Sequence, residues 1–273
     1  MRTLSNLALA ALVAGVLASS AVAKDGFFVG ANGGYDFSSK LMSKNAKNHL
    51  PDVIEDEDIA RGINIGDDTG YMATSGGYNF GLKAGYDLGV HRFYGGYSYG
   101  GGRSYKTGDE ILLHYTYTSL FYNFNAEYLM TGQTDTKWNE HKLVLGYESR
   151  IPVMMGFKAV VGVNFGVAFL NVDSSSKYVD KSIENDNVLI DNYSENVKQK
   201  STNFLFGANL GVAYEFAQRH EVDFGVRFEK LFNAEAKVSS RTHDADLPDL
   251  KPTKGEKYGV ENFGLYVGYS FKF

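Results

Sequence analysis

Three sets of residues in this chain could do chemistry. The first is a series of charged and amide side chains: Lys83, Asp87, Glu148, Lys158, Asn164, Asn209, Glu215, Asp223, Arg227, Glu229 and Lys272. Lining a channel, such a set selects ions or small solutes by charge. Packed together, it becomes a network of ion pairs and hydrogen bonds that fills an interior. The second set is the histidines, of which there are six. A hydrolytic site needs a base bonded to a nucleophile or water and oriented by an acid. His91 and His220 fall at turns, and His49 and His243 in polar loops. His114 and His141 remain, and only His141, beside Glu140, suggests a dyad. Neighbours in a strand point to opposite faces, so no enzyme is expected. The third set is the acidic run 55–58 with Asp67 and Asp68. Carboxylate oxygens bind Ca²⁺, but the spaced D-x-D-x-D-G loop is missing. A solvated loop is the simpler reading, and neither metal nor cofactor is expected.

The elements that must position the first set show themselves most clearly in residues 263–273. Phe263, Leu265, Val267, Tyr269, Phe271 and Phe273 alternate with Gly264, Tyr266, Gly268, Ser270 and Lys272. Period two puts the first group on one face of a strand. The same pattern recurs at 27–37, 78–88, 93–99, 143–147, 157–169, 204–216 and 222–228. Charges inside these strands fall on the face opposite the aromatics. A Lys or Arg facing mid-membrane lipid costs about 2–4 kcal/mol, which is a reason for that segregation. Trp138 and the Tyr residues near strand ends read as an interfacial girdle.

Connections alternate in length. Short turns fall at Gly89-Val90-His91, at Ile151-Pro152 and at Gln218-Arg219-His220, while polar stretches at 38–75, 174–201 and 239–257 read as long loops. Outer-membrane barrels have short periplasmic turns and long extracellular loops, whereas a sandwich has no reason to alternate this way. The expected fold is therefore all-β, a closed antiparallel transmembrane barrel. Its strand count hangs on residues 109–130, where the phase changes near Thr118-Ser119. A turn there inside the wall makes ten strands, and a structured extracellular hairpin leaves eight.

Bulk properties agree with this class. With 31 Gly, 19 Tyr and 19 Phe, the composition of the 273 residues suits many short strands. A mean hydropathy of −0.25 excludes a helical bundle but not a barrel, which hides half of each strand from lipid. With no Cys, there is no disulfide framework or thiolate metal site. The N-terminus reads as a signal peptide over residues 1–23: Arg2, an apolar stretch at 7–18, then Ala21-Val22-Ala23 for cleavage. The barrel domain is expected at 24–273. Without Arg2, 26 basic residues face 32 acidic ones, a net −6 that argues against nucleic acid as a partner.

With signal peptide, alternating strands and the closing Tyr269-x-Phe271-x-Phe273 together, the chain resembles small Gram-negative outer-membrane β-barrels of the OmpA-like and opacity type. Gly81-Leu-Lys-Ala-Gly-Tyr86 and Gly264-Leu-Tyr-Val-Gly-Tyr269 are typical pieces. The resemblance implies that Tyr269, Phe271 and Phe273 form a C-terminal assembly signal read by the barrel-assembly machinery. It also implies contact with outer-membrane lipids and lipopolysaccharide. No linker to a periplasmic peptidoglycan-binding domain is expected. The leading expectation is a structural or surface-interactive, adhesin-like role carried by long loops that meet a host or surface ligand. A narrow porin is the alternative, with a rim hydrolase behind it.

Overall fold

The computed structural model describes residues 26–44, 72–119, 122–184, 187–217, 219–243 and 257–273. The stretch read as a signal peptide, the acidic run with Asp67 and Asp68, and His49 lie outside the described residues. So do the side chains of His114 and His243. Among the described residues nine strands follow in order: β1 (Phe27–Lys44), β2 (Met72–Asp87), β3 (His91–Ser119), β4 (Tyr122–Met154), β5 (Phe157–Glu184), β6 (Asn187–Phe216), β7 (His220–Glu235), β8 (Lys237–His243) and β9 (Lys257–Lys272). Every pairing is antiparallel. Sequential neighbours pair from β1 to β7, β9 pairs with both β7 and β1, and β5–β6 completes the circuit. Eight strands thus close a ring, and β8 only prolongs β7 along the far end of β6. Closure removes the open edges that hydrocarbon would not tolerate.

The outer face carries the aromatic and aliphatic half of each alternation, as at Phe80, Leu82, Leu145, Phe165, Leu210, Phe224 and Leu265. On β5 this band runs from Phe157 to Phe169. That is about 40 Å along the strand and, at a tilt of about 40°, roughly 30 Å along the membrane normal, which matches a hydrocarbon core. At one end of the ring lie tight connections at 88–90 and 155–156, with β6 and β7 flanked there by Ala217 and Arg219. Met155 and Gly156 have φ of 37° and 84°, the left-handed pair that a two-residue hairpin requires.

Expectations for one turn and for two polar stretches change here, and the open strand count is decided. The turn read at Ile151-Pro152 lies further on, at Met155-Gly156: both residues belong to β4, and Pro152 sits beside a register shift where its missing N–H leaves no gap in a regular ladder. The stretch 174–201 is not a loop. β5 and β6 stay paired through it, from Ser174↔Val197 to Glu184↔Asn187. Likewise β1 and β2 extend to Lys44 and Met72, so strand replaces much of the flanks of the first polar stretch. Finally, residues 109–130 form the upper part of one long hairpin, with Ser119 paired to Tyr122. That hairpin stands beyond the wall, so the ring has eight strands rather than ten.

Candidate functional site

Inside the ring the polar half of each alternation gathers into two charged layers. The layer at the tight-turn end contains five cations (Lys83, Arg92, Arg150, Lys158, Lys272) and five carboxylates (Asp87, Glu148, Glu215, Glu221, Asp223). Arg92 lies 2.6 Å from Asp87 and 3.0 Å from Glu221, with its guanidinium 4.3 Å from the Phe28 ring centroid. Arg150 reaches Glu148, Glu221 and, at 3.4 Å, Asp223. Lys83 bridges Glu148 at 3.2 Å and Asp223 at 3.8 Å. Lys158 pairs with Glu215 and Glu221, and Lys272 sits 3.1 Å from both Asp87 and Glu215.

The upper layer is built the same way from three cations and three carboxylates. Asp36 takes Arg103 at 2.7 Å and Arg227 at 2.9 Å. Glu140 takes Arg103 at 2.8 Å and Lys142 at 3.4 Å, and Lys142 also pairs with Glu229. Asn262 donates to Glu140 at 3.1 Å and accepts from Ser39 at 2.6 Å, while Asn79 donates to Asp36 at 3.3 Å. Both layers are neutral. Arg92, Arg103, Lys142 and Arg150 are fully buried, and ions taken out of water persist only when each is paired and hydrogen-bonded. A conducting lining would leave its charged heads in water and carry a net sign. These layers carry no net sign, and most of their charged heads are buried.

Between them Asn32, Tyr94, Ser98, Asn164, Asn209 and Tyr266 surround a cavity of about 80 Å³, room for a few water molecules. Asn209 donates to the Tyr266 hydroxyl at 3.4 Å. Above the upper layer the interior turns apolar: Leu41, Trp138, Leu170, Val172, Leu205, Leu231, Tyr258 and Val260 pack across the mouth. Trp138 therefore belongs to this plug and not to an interfacial girdle. Its place on β4, in phase with Glu140 and Lys142, sends it inward.

All eleven residues of the first set lie inside. Nine join the charged layers, and Asn164 and Asn209 line the cavity between them. Asp36, Arg92, Arg103, Glu140, Lys142, Arg150 and Glu221 complete the layers and were not in that set. Parity alone would have found Arg92, Lys142 and Glu221, each next to an outward apolar residue. Arg150 was lost to the misplaced turn. Arg103 follows a bulge in which Gly102, at φ 73°, shifts the phase between Gly100 and Arg103. His141 and Glu140 point to opposite faces: Glu140 is buried inside, while His141 Nδ1 lies 2.7 Å from the Tyr97 hydroxyl on the outer face. His91 and His220 meet Tyr147 and Tyr269 in the same manner, at 2.7 and 2.6 Å. In the closing strand Tyr269 faces outward, and the Phe273 ring lies 5.2 Å from Phe271 and 5.6 Å from Phe27.

Beyond the wall, β3 to β6 continue as a sheet above the lipid-facing band, with β8 along β6. Cross-strand hydroxyl pairs join Thr134 to Ser176 at 2.9 Å and Thr136 to Ser174 at 3.2 Å. At the tip of β3–β4 the register sets Ile111, Leu113, Tyr115 and Tyr117 opposite Met130, Tyr128, Ala126 and Phe124.

A ring with an apolar exterior, a neutral ionic interior and a raised sheet defines an integral outer-membrane β-barrel. The chain belongs to the Helicobacter outer membrane protein family, which it matches over residues 73–273, and its location is the outer membrane. Solved structures with similar folds include Neisserial surface protein A, at 14% identity over 88% of this chain and 96% of that one, with a TM-score of 0.32. Ail, the attachment invasion locus protein of Yersinia pestis, is 10% identical over 91% and 100%, with a TM-score of 0.33. Outer membrane protein H from P. aeruginosa is 14% identical over 91% and 99%, with a TM-score of 0.35. No curated protein matches the chain in sequence.

Proposed function

We propose that this protein is a closed barrel whose role is to hold an adhesive β-sheet above the outer membrane. The observation that carries this reading is the register at the tip of β3–β4. It sets eight apolar or aromatic residues opposite one another at alternate positions of a hairpin standing well past the lipid-facing band. A hairpin surrounded by water has no need of such an alternation, and large apolar patches on a surface mark contact sites. The partner it suits is a host or surface protein. The test is to replace residues 109–130 with a two-residue Asn-Gly turn and measure attachment of expressing cells to host-cell monolayers. Attachment should fall while the protein keeps its folded, heat-modifiable migration. Unchanged attachment would remove the tip from the function.

The narrow-porin reading is opposed by the neutral layers and the apolar plug above them. Purified protein in a planar bilayer should give no stable single-channel current, and a reproducible current shifted in selectivity by Lys158→Glu would reinstate the pore. We read Tyr269, Phe271 and Phe273 as the contact for the assembly machinery. Phe273→Ala should then lower the amount of folded protein in the outer membrane more than removal of the β3–β4 tip does.

A further inference from the structure

On β3 to β6 the outer surface changes character within one residue pair. Tyr99, His141 and Phe169 form the last lipid-facing row, with the Tyr99 and His141 rings 5.0 Å apart. One outward step higher, about 7 Å along the strands, Asn171 Nδ2 donates to Asn139 Oδ1 at 2.9 Å. Lys200 pairs with Asn171 across β5–β6, and Lys237 of β8 pairs with Lys200. The next row sets Lys137 beside Asp173 and Asp173 beside Lys198. Tyr99, Lys137, Asn139, Asn171, Asp173, Lys198 and Lys200, with Gly102 and Ser104 of β3 and the buried Arg103, Trp138, Val172 and Gln199, line a cleft of about 480 Å³, the size of small-ligand sites.

The charge of this patch runs against that of the chain. Among these residues Lys137 lies 3.4 Å from Asp135 and Lys198 3.7 Å from Asp173, while Lys200 and Lys237 stand opposite each other across β6–β8. These four lysines and two aspartates carry net +2 on a chain of net charge −5. On β7, by contrast, Lys230 is matched by Glu261 at 2.7 Å. The amide pair uses one donor and one acceptor between the two side chains, so an Asn139 N–H and the Asn171 carbonyl stay available to hydroxyls.

We infer that this cleft binds a phosphorylated glycolipid of the outer leaflet. Acyl chains lie along Phe165, Phe169 and Tyr99, sugar hydroxyls meet Asn139 and Asn171, and phosphates meet Lys137, Lys198 and Lys200. Position selects a lipid over a free anion, because the cations begin one step above the last lipid-facing row. A headgroup anchored in the leaflet is held at that height. The inference needs only the outer-membrane location, so it stands or falls independently of adhesion and of conductance.

The test titrates purified, folded protein in detergent with bisphosphorylated lipid A and with the same lipid A stripped of phosphate, read by native mass spectrometry. Wild type should prefer the phosphorylated form by about tenfold or more, since each basic residue at a membrane surface adds measurably to anionic-lipid affinity. Combined Lys137→Glu, Lys198→Glu and Lys200→Glu should abolish the preference with folding intact by heat-modifiability. A charge-matched control, Lys40→Glu with Lys177→Glu and Lys230→Glu, should keep it. Equal binding of both lipids by wild type, a preference surviving in the first variant, or equal loss in the control would each overturn the proposal. So would competition by inorganic phosphate at equimolar concentration, which would mark a free-anion site.

Discussion

β5 and β6 form one ladder with two lives. From Phe157↔Tyr214 to Glu184↔Asn187 every residue of β5 has a partner and the register never shifts. In the lower half, Val161, Val163, Phe165 and Val167 face lipid while Gly162 and Asn164 face the interior. In the upper half, Asp173, Ser175 and Lys177 alternate with Ser174 and Ser176. The backbone is the same in both. What differs is the medium: hydrocarbon against a packed interior below, and water beside much of the sheet above. Period-two hydrophobicity therefore records a difference in solvent across the wall, and a strand without that difference leaves little trace of itself in sequence.

The largest expected effect tests the interior against the upper sheet. Arg150→Ala leaves Glu148, Glu221 and Asp223 short of their shared cation, and losing one partner of a buried ionic cluster costs about 3–5 kcal/mol. Lys137→Ala removes a pair with Asp135 that is largely in water, Lys137 being 66% exposed, and should change stability by under about 0.5 kcal/mol. The single Trp, buried in the plug, reports both in a urea titration of vesicle-embedded protein. Comparable shifts would mean that the charged layers hold nothing together.

A second comparison keeps strand, face and residue type fixed. Val163 and Val179 both point outward on β5, 37% and 41% exposed. Val163→Arg enters hydrocarbon and should cost about 2–4 kcal/mol, while Val179→Arg, in water, should stay within about 0.5 kcal/mol. The same titration measures both. Equal costs would place Val179 in lipid too and move the upper sheet into the membrane.

This contrast sets what could be read from sequence. The wall was legible at Phe80/Leu82/Tyr86 and Phe263/Leu265/Val267, because lipid outside and charge inside impose opposite chemistries on alternate residues. The continuation at 174–201 was not, since Ser174 and Ser176 inward and Asp173 and Lys177 outward carry no hydrophobic difference. Within the interior, Lys83, Glu148 and Asp223 were legible by parity. Arg103 was hidden by the bulge at Gly102, which no propensity announces, and Arg150 by a Pro152 that sits inside β4 instead of ending it. Trp138 was misread because a lone Trp near a strand end suits a girdle, although its phase with Glu140 and Lys142 pointed inward.

The smallest expected effect asks whether the two halves of the ladder open together. Thr134→Ala removes the hydroxyl pair with Ser176, a loss of about 1 kcal/mol, or about fivefold in local amide exchange. Ser176 stays half-buried at the sheet surface, so water replaces much of the lost bond and no larger penalty arises. If the upper sheet opens as its own unit, exchange should quicken for amides near 132–138 and 172–178 while the urea midpoint reported by Trp138 stays put. Trp138 sits one inward position below Thr136 on the same strand, so it lies at the boundary where such separate opening must stop. A midpoint shift matching the exchange change would mean that the unbroken β5–β6 register transmits cooperativity across the water–lipid boundary. In that case an adhesive load on the tip would be felt by the barrel itself.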